Sequence, residues 1–243
     1  IVDSDADLDE TIVDTIYSAF GYQGQKCSAC SRLIVLQENY ERVMHRLLAA
    51  AASLRIGNPE QPGITVGPVI DETAYHRIQE IIETGRTEAT LAFQATNIPD
   101  KGYFIPPTIF TDVKPEMTLS QCEIFGPVLS VLKARDLDDA IRIANDTDYA
   151  LTAGFFSRSP ANIERIKAEL VAGNVYVNRS CTGAVVGRHP FGGFKMSGGG
   201  TKAGGNDYLL NFLVPRVVTE NIMRHGFAPE ATPERHAEFL WPA

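Results

Sequence analysis

Cysteine, tryptophan and basic residues are scarce in this 243-residue chain, which has four cysteines, one tryptophan and 22 basic against 30 acidic residues. Four cysteines are too few for the disulfide framework of a secreted protein of this length, so we expect a reducing compartment, the cytoplasm or a mitochondrial matrix in a eukaryote. The net charge of −8 argues against nucleic acid or an anionic membrane as the main partner. No run approaches the roughly 18 consecutive apolar residues that a membrane-spanning helix needs.

The composition is that of a globular protein, with 44% hydrophobic and 21% charged residues.

The chain begins at Ile1 and runs at once into an acidic stretch at residues 3–10, where we find neither a basic leader nor an apolar signal core. We therefore expect a piece of a longer protein.

Helical and strand-like apolar spacing alternates along the chain as far as Val177. Asp5 or Asp7 is a predicted N-cap, Asp71 begins another helix, and Gly21 and Gly85 are predicted to end these two helices. Strands separated by helices predict an α/β sheet with helices on its faces. The other predicted helices cover residues 40–54, 136–145 and 160–171, and the predicted strands cover residues 33–36, 89–93, 108–110, 128–132, 153–156 and 174–177.

Beyond Val177 the sequence changes to glycine-rich loops over residues 183–205. An apolar segment at residues 208–214 and an extended run at 216–222 follow. The tail after Gly226 contains prolines and the single tryptophan, Trp241, and we expect it to be frayed.

Cys27 is a candidate nucleophile because it stands in Gly-Gln-Lys-Cys-Ser, at the end of a glycine-containing loop and just before a predicted strand. A nearby cation or backbone N–H groups favour a thiolate, which is the form that attacks electrophiles. A single cysteine is more often a small buried apolar residue, so this spacing alone leaves both interpretations open. Cys27 and Cys30 also form a C-x-x-C pair, but we find no second pair and no H-x₃₋₅-H to complete a zinc site, so we predict no metal.

Residues 121–127, Gln-Cys-Glu-Ile-Phe-Gly-Pro, lead directly into a predicted strand. The carboxylate of Glu123 at the mouth of that strand suits two sugar hydroxyls, and the ring of Phe125 suits a flat heterocycle. A turn with a core phenylalanine explains the same residues and is the simpler interpretation of this segment alone.

Residues 190–198, Pro-Phe-Gly-Gly-Phe-Lys-Met-Ser-Gly, are preceded by Thr182-Gly183-Ala184. Glycines this dense allow close backbone approach and present N–H groups to an anion. The segment is not a Walker loop, and the chain contains no G-x-G-x-x-G, so a phosphate cradle is not indicated.

Together, the three motifs Gly-Gln-Lys-Cys-Ser, Glu-Ile-Phe-Gly-Pro-Val and Pro-Phe-Gly-Gly-Phe-Lys-x-Ser-Gly, in this order, resemble the aldehyde dehydrogenase superfamily. The likeness runs from Ile1 to about Ile222 and is greatest to the 1-pyrroline-5-carboxylate dehydrogenases, which oxidise L-glutamate γ-semialdehyde to L-glutamate in proline degradation. The resemblance implies an open, twisted, mostly parallel sheet with helices on both faces. It implies a catalytic domain over residues 1–214, and an oligomerisation strand and tail over 215–243 that pair the protein into a homodimer or higher oligomer.

The resemblance also implies roles for individual residues. Cys27 is the nucleophile, and NAD is the cofactor, whose nicotinamide ribose is bound by Glu123 and whose nicotinamide packs near Phe125. The α-carboxylate of a small-molecule semialdehyde is bound by the Ser28 hydroxyl and by backbone N–H groups. The two residues that offer those N–H groups are Gly183 and Ala184, and Phe191 packs along the aliphatic part of the substrate.

Two positions depart from the family pattern. Some relatives carry serine in place of Ala184, and many carry alanine in place of Cys30. The second thiol raises the hypothesis that oxidation closes Cys27 and Cys30 into a disulfide.

The resemblance places the general-base glutamate, the oxyanion-hole asparagine and the nucleotide-binding domain before Ile1, so we expect this chain alone to lack NAD-linked turnover. The choice between NAD and NADP belongs to that domain. Two alternatives stay open: a dehydrogenase for another semialdehyde or one that passes its acyl group to coenzyme A, and a non-catalytic dimerisation module.

Overall fold

The computed structural model describes residues 1–223. The longer helices are α1 (Leu8–Phe20), α2 (Tyr40–Ala52), α3 (Glu72–Glu88), α5 (Leu137–Asn145) and α6 (Pro160–Glu169), with a single-turn α4 (Thr118–Gln121). The strands are β1 (Arg32–Leu36), β2 (Thr90–Gln94), β3 (Thr108–Thr111), β4 (Val128–Ala134), β5 (Tyr149–Ala150), β6 (Thr152–Phe155), β7 (Asn174–Val177) and β8 (Phe194–Lys195). Within residues 1–223, none of the helices has the length and apolar content needed to span a bilayer.

The central sheet is mostly parallel, as the sequence predicts. Four strands pair in the order β2-β3-β4-β1, in which β1 and β3 run parallel to β4 and only β2 is antiparallel. Val2 pairs in parallel with both Val35 and Phe156, and its N–H donates to the carbonyl of Ile34 at 2.8 Å. The first residues of the chain therefore join β1 to the parallel pair β6–β7.

Helices cover both faces of this sheet, which explains the nearly continuous apolar runs of its strands. Leu33 and Val35 of β1 pack in one cluster with α1 and α2, whereas Ile34 and Leu36 pack in a second cluster with α3 and α5. Because successive strand residues point to opposite faces, the apolar run of β1 contributes to both cores.

Four helices begin at a capping side chain, and two of these residues, Asp7 and Asp71, are helix starts that the sequence predicts. The Asp7 carboxylate accepts the N–H groups of Asp9 and Glu10, and Ser159 accepts that of Asn162. Asp71 and Asp136 cap α3 and α5 in the same way.

Gly85 does not end α3, which continues to Glu88, so that predicted end is wrong. A Cβ at Gly85 would lie 2.9 Å from side-chain atoms of both Phe110 and Leu119. The glycine is therefore required by the close packing of the helix on the sheet and not by a helix end.

In the C-terminal part of the chain, the structure does not confirm the predicted strand. Residues Asn206–Phe212 form a short 3₁₀ helix without a buried residue, and residues 213–223 carry neither helix nor strand. The oligomerisation strand at 216–222 is thus not confirmed and stays a prediction, as does the domain boundary at residue 214. The predicted frayed tail after Gly226, with Trp241, lies outside the described residues.

Candidate active site

Cys27 lies in the loop that connects α1 to β1, and its side chain is exposed. After α1 the chain makes a short 3₁₀ turn in which Tyr22 and Gln23 are left-handed, with φ of 52° and 57°. A tight turn then closes from the carbonyl of Lys26 to the N–H of Ala29 at 3.0 Å. The thiol therefore stands at the tip of a compact loop fixed to α1.

Gly24 brings this loop against the Glu-Ile-Phe-Gly segment before β4. Its φ is +67°, and a Cβ there would lie 2.1 Å from the carbonyl oxygen of Gly126. A Cβ on Gly126 would in turn lie 2.7 Å from Ile78 of α3. The two backbones approach so closely that only glycine fits at position 24.

This approach places Glu123 and Phe125 with Cys27 around one cavity of about 400 Å³, which we call the Glu123 cleft. Glu123 is exposed, and Phe125 has a φ of 50° with 39% of its surface exposed. Phe125 is therefore not the core residue of the simpler interpretation.

Arg77 of α3 fixes the segment that carries Glu123 and Phe125. Its guanidinium donates a hydrogen bond to the carbonyl oxygen of Ile124 at 2.7 Å. The sequence offered no signal for this residue, because arginines on an exposed helix face usually bind water or nearby carboxylates.

Ser28, which follows the nucleophile candidate, is buried and connects two distant loops. Its hydroxyl is hydrogen-bonded to that of Thr182 at 2.9 Å, and only 2% of Thr182 is exposed. Among the described residues, no hydrogen bond uses the backbone N–H of Gly183 or of Ala184. The loop after Thr182 thus offers two unpaired donors.

A second, more open cavity of about 510 Å³, the Phe191 groove, lies over this loop. Six of the seven predicted site residues line it: Cys27, Ser28, Phe125, Gly183, Ala184 and Phe191. The seventh, Glu123, lines the Glu123 cleft, which shares Cys27 and Phe125 with the groove. The structure therefore brings together residues that lie up to 164 positions apart in the sequence.

Asn174, at the start of β7, holds the segment of Phe191. Its side-chain amide donates to the carbonyl of Pro190 at 2.9 Å and accepts the N–H of Gly192 at 3.2 Å. The backbone of Phe191 also exchanges two hydrogen bonds with Ala203, at 2.8 and 2.9 Å. Sequence reasoning missed Asn174 because the contacts depend on how distant loops pack.

The charges near the thiol differ from the sequence-based expectation. The ammonium of Lys26 lies 4.2 Å from the ring centre of Tyr22 and 5.3 Å from that of Tyr17, in cation–π contacts. The neighbouring cation is thus engaged by aromatic rings.

Asp14 of α1 lines the Glu123 cleft as well, and burial raises the pKa of its carboxyl group above the ordinary value.

The sequence predicts no metal site, and this stays a prediction. In residues 1–223, no three or more His, Cys, Asp and Glu side chains are grouped so that they could hold a metal ion.

Residues 1–218 match the aldehyde dehydrogenase family. The chain belongs to this family. The 1-pyrroline-5-carboxylate dehydrogenases of Anoxybacillus flavithermus and Bacillus subtilis are each 47% identical to it over 220 residues, which are 90% of this chain and 43% of each relative. The chain therefore spans less than half the length of these curated relatives.

Solved structures of family members share its fold. Proline utilization A from Bdellovibrio bacteriovorus matches with a TM-score of 0.89 and 55% identity over 95% of this chain and 24% of that one. The 1-pyrroline-5-carboxylate dehydrogenase from Thermus, with bound NAD, matches with a TM-score of 0.84 and 45% identity over 87% of this chain and 41% of that one. These similarities agree with the mostly parallel α/β sheet of residues 1–223.

Proposed function

We propose that this chain supplies the thiol-bearing part of an NAD-dependent enzyme that oxidises L-glutamate γ-semialdehyde to L-glutamate in proline degradation. The observation that carries the proposal is the Phe191 groove, where an exposed thiol lies beside a hydroxyl and two unpaired backbone N–H groups. A nucleophile and a candidate carboxylate-binding site in one groove suit an aldehyde that also carries a carboxylate. The names of the similar proteins agree with this substrate.

Cys27 performs the covalent step in this proposal. Its thiolate adds to the aldehyde carbon, and the backbone N–H of Cys27 contributes to holding the oxyanion of the resulting hemithioacetal. Oxidation gives a thioester on Cys27, which water hydrolyses to the carboxylic acid and the free thiol. An exposed thiol at the tip of a rigid loop suits this chemistry because the reacting atoms must meet at a fixed distance.

The carboxylate anchor consists of Ser28, Gly183 and Ala184. When the Thr182 hydroxyl donates to Ser28, the Ser28 O–H remains free to donate to the substrate. A hydroxyl and two N–H groups then bind one carboxylate, and the ring of Phe191 packs on the intervening methylene groups. Thr182 is in this view a positioning residue, which sequence reasoning singled out only as a neighbour of the glycine loop.

The chemistry of the Glu123 cleft fits the nicotinamide end of NAD, which accepts the hydride when bound. The exposed Glu123 carboxylate offers acceptors for two ribose hydroxyls, and the half-exposed Phe125 ring offers a flat apolar surface. The cleft and the groove share Cys27 and Phe125, so the proposed cofactor region and the proposed substrate region both border the thiol.

The proposal also includes a homodimer formed through residues 216–222 and a reducing compartment, the cytoplasm or the mitochondrial matrix. The exposed apolar side chains of Val217, Val218 and Ile222 support the first point, because such a segment favours pairing with another chain. The four free cysteines support the second.

The test is a chimaera in which the segment that precedes the matched part in the Bacillus subtilis relative is fused in front of Ile1. We expect NADH formation with L-glutamate γ-semialdehyde, a much lower kcat/KM with propanal, and no turnover after Cys27→Ala. Equal kcat/KM for both aldehydes would contradict the carboxylate anchor, and product formation only with coenzyme A would favour a CoA-acylating enzyme.

A further inference from the structure

Two cysteines that the proposed function does not use, Cys30 and Cys181, lie next to each other beneath the thiol loop. Both contact Ser18 of α1: the N–H of Cys30 donates to the Ser18 carbonyl at 3.0 Å, and the N–H of Cys181 donates to its hydroxyl at 3.3 Å. The two side chains lie close enough for each thiol to shift the pKa of the other. They are 151 positions apart in the sequence, so no spacing motif indicated this pair.

The surroundings of the two sulfur atoms are polar and tightly defined. The Cys181 thiol donates to the carbonyl of Ser28 at 3.6 Å, and the Cys30 thiol donates to the carbonyl of Arg32 at 3.7 Å. A Cβ on Gly154 of β6 would lie 3.4 Å from the Cβ of Cys181, so the strand backs this side chain closely. Both cysteines also line the Glu123 cleft, which gives a small oxidant a path to them.

The two thiols differ in their tendency to ionise. The neighbouring Cys30 side chain lowers the pKa of Cys181 to about 7, and the Ser18 hydroxyl acts in the same direction. The Cys181 side chain, together with burial, raises the pKa of Cys30 well above its usual range. Of the two thiols, Cys181 is therefore the more easily ionised.

We propose that Cys30 and Cys181 form a redox pair, which peroxide oxidises to a disulfide that crosslinks the loop of Cys27 to the loop of Gly183 and Ala184. The crosslink joins covalently the two loops that the Ser28–Thr182 hydrogen bond already holds together. It leaves Cys27, which is exposed at the tip of its loop, as a free thiol.

The reaction balances with hydrogen peroxide as the oxidant. The Cys181 thiolate attacks one peroxide oxygen, the O–O bond breaks, and the products are a Cys181 sulfenic acid and hydroxide. The Cys30 sulfur then attacks the Cys181 sulfur, the S–O bond breaks, and the hydroxyl leaves as water with the Cys30 proton. Two thiols thus lose two electrons, and one peroxide is reduced to water.

This pairing differs from the Cys27–Cys30 disulfide that the C-x-x-C spacing suggests. In the structure the Cys30 side chain lies beside that of Cys181, which is 151 positions further along the chain, and the backbone N–H groups of both cysteines bind Ser18. Peptide mapping distinguishes the two, and because it needs no turnover it succeeds or fails independently of the proposed dehydrogenase function.

The experiment treats the reduced 243-residue chain with increasing hydrogen peroxide, blocks the remaining thiols with N-ethylmaleimide and maps the peptides without reduction. We expect a crosslinked Cys30–Cys181 peptide that is two hydrogens lighter than its parts, that dithiothreitol reverses, and that forms equally in Cys27→Ser and in the control Cys122→Ser. The yield should fall to background in both Cys30→Ser and Cys181→Ser.

Two results would overturn the proposal. One is a Cys27–Cys30 peptide in the unaltered chain. The other is oxidation of Cys27 while Cys30 and Cys181 remain free for N-ethylmaleimide. Circular dichroism of each serine variant, matched to the parent spectrum, shows that a lost crosslink reflects the missing sulfur and not a lost fold.

Discussion

The two sides of the candidate active site are held in place by different means. On the thiol side, Gly24 and Gly126 place backbone directly against backbone, and α1 and α3 support the loops from the sheet. On the anchor side, residues 178–193 contain neither helix nor strand, and side-chain hydrogen bonds of Ser28 and Asn174 hold their loops. Close backbone packing therefore fixes the position of the Cys27 thiol, whereas side-chain hydrogen bonds position the loops of the proposed carboxylate anchor.

The largest effect is expected on the thiol side, from Gly24→Ala. The added Cβ would overlap the Gly126 carbonyl and would occupy a left-handed backbone position, so we expect the free energy of unfolding to fall by about 3 kcal/mol. Urea unfolding measures the loss. The control is Gly199→Ala, where a Cβ meets no atom within 4 Å. If both variants unfold at the same urea concentration, the close approach does not hold the loop.

On the anchor side, Ser28→Ala in the chimaera should damage substrate binding more than stability. The lost hydrogen bond to a charged carboxylate is worth about 2 kcal/mol, which lowers kcat/KM for L-glutamate γ-semialdehyde roughly 30-fold. The rate with propanal, which has no carboxylate, should hardly change. The neighbouring Ser31→Ala is the matched control, and an equal loss with both aldehydes would remove Ser28 from the anchor.

Asn174→Ala tests whether one side chain holds the Phe191 segment. We expect about 1.5 kcal/mol of lost stability, since two partly buried hydrogen bonds disappear, and faster amide exchange at residues 190–192. Hydrogen exchange followed by mass spectrometry measures this. Asn58→Ala, in an exposed loop, serves as the control, and unchanged exchange at 190–192 in Asn174→Ala would show that the Ala203 contacts suffice.

The smallest effect is predicted for Arg77→Met. Removal of one hydrogen bond to the Ile124 carbonyl costs about 1 kcal/mol and should raise the KM for NAD about fivefold, with kcat unchanged. Steady-state kinetics of the chimaera separate the two parameters. Arg86→Met, on the same helix and paired with Glu83, should leave both parameters as they are.

Local sequence signals predicted most of the fold. The capping side chains of Asp7 and Asp71 and the apolar run of β1 each act within a few residues, so their positions follow from the sequence. The joining of β1 to β6 through Val2 was missed, because a single residue between two strands has no periodicity.

The site was predicted as three motifs but not as an arrangement. Cys27, Glu123 and Phe191 were named from their motifs and the family resemblance. The contacts that bring the motifs together join Gly24 to Gly126 and Ser28 to Thr182, at separations of 102 and 154 positions. Such contacts depend on the completed sheet and its loops, which a single sequence does not specify locally.

The most direct test of a poised Cys27 thiol is its rate of alkylation by iodoacetamide relative to Cys122, which is also exposed in the same chain. Peptide mapping over time gives both rates in one sample. We predict that Cys27 reacts at least about tenfold faster and that L-glutamate γ-semialdehyde slows Cys27 alone. Equal rates for the two thiols, or no protection of Cys27 by the semialdehyde, would contradict the account.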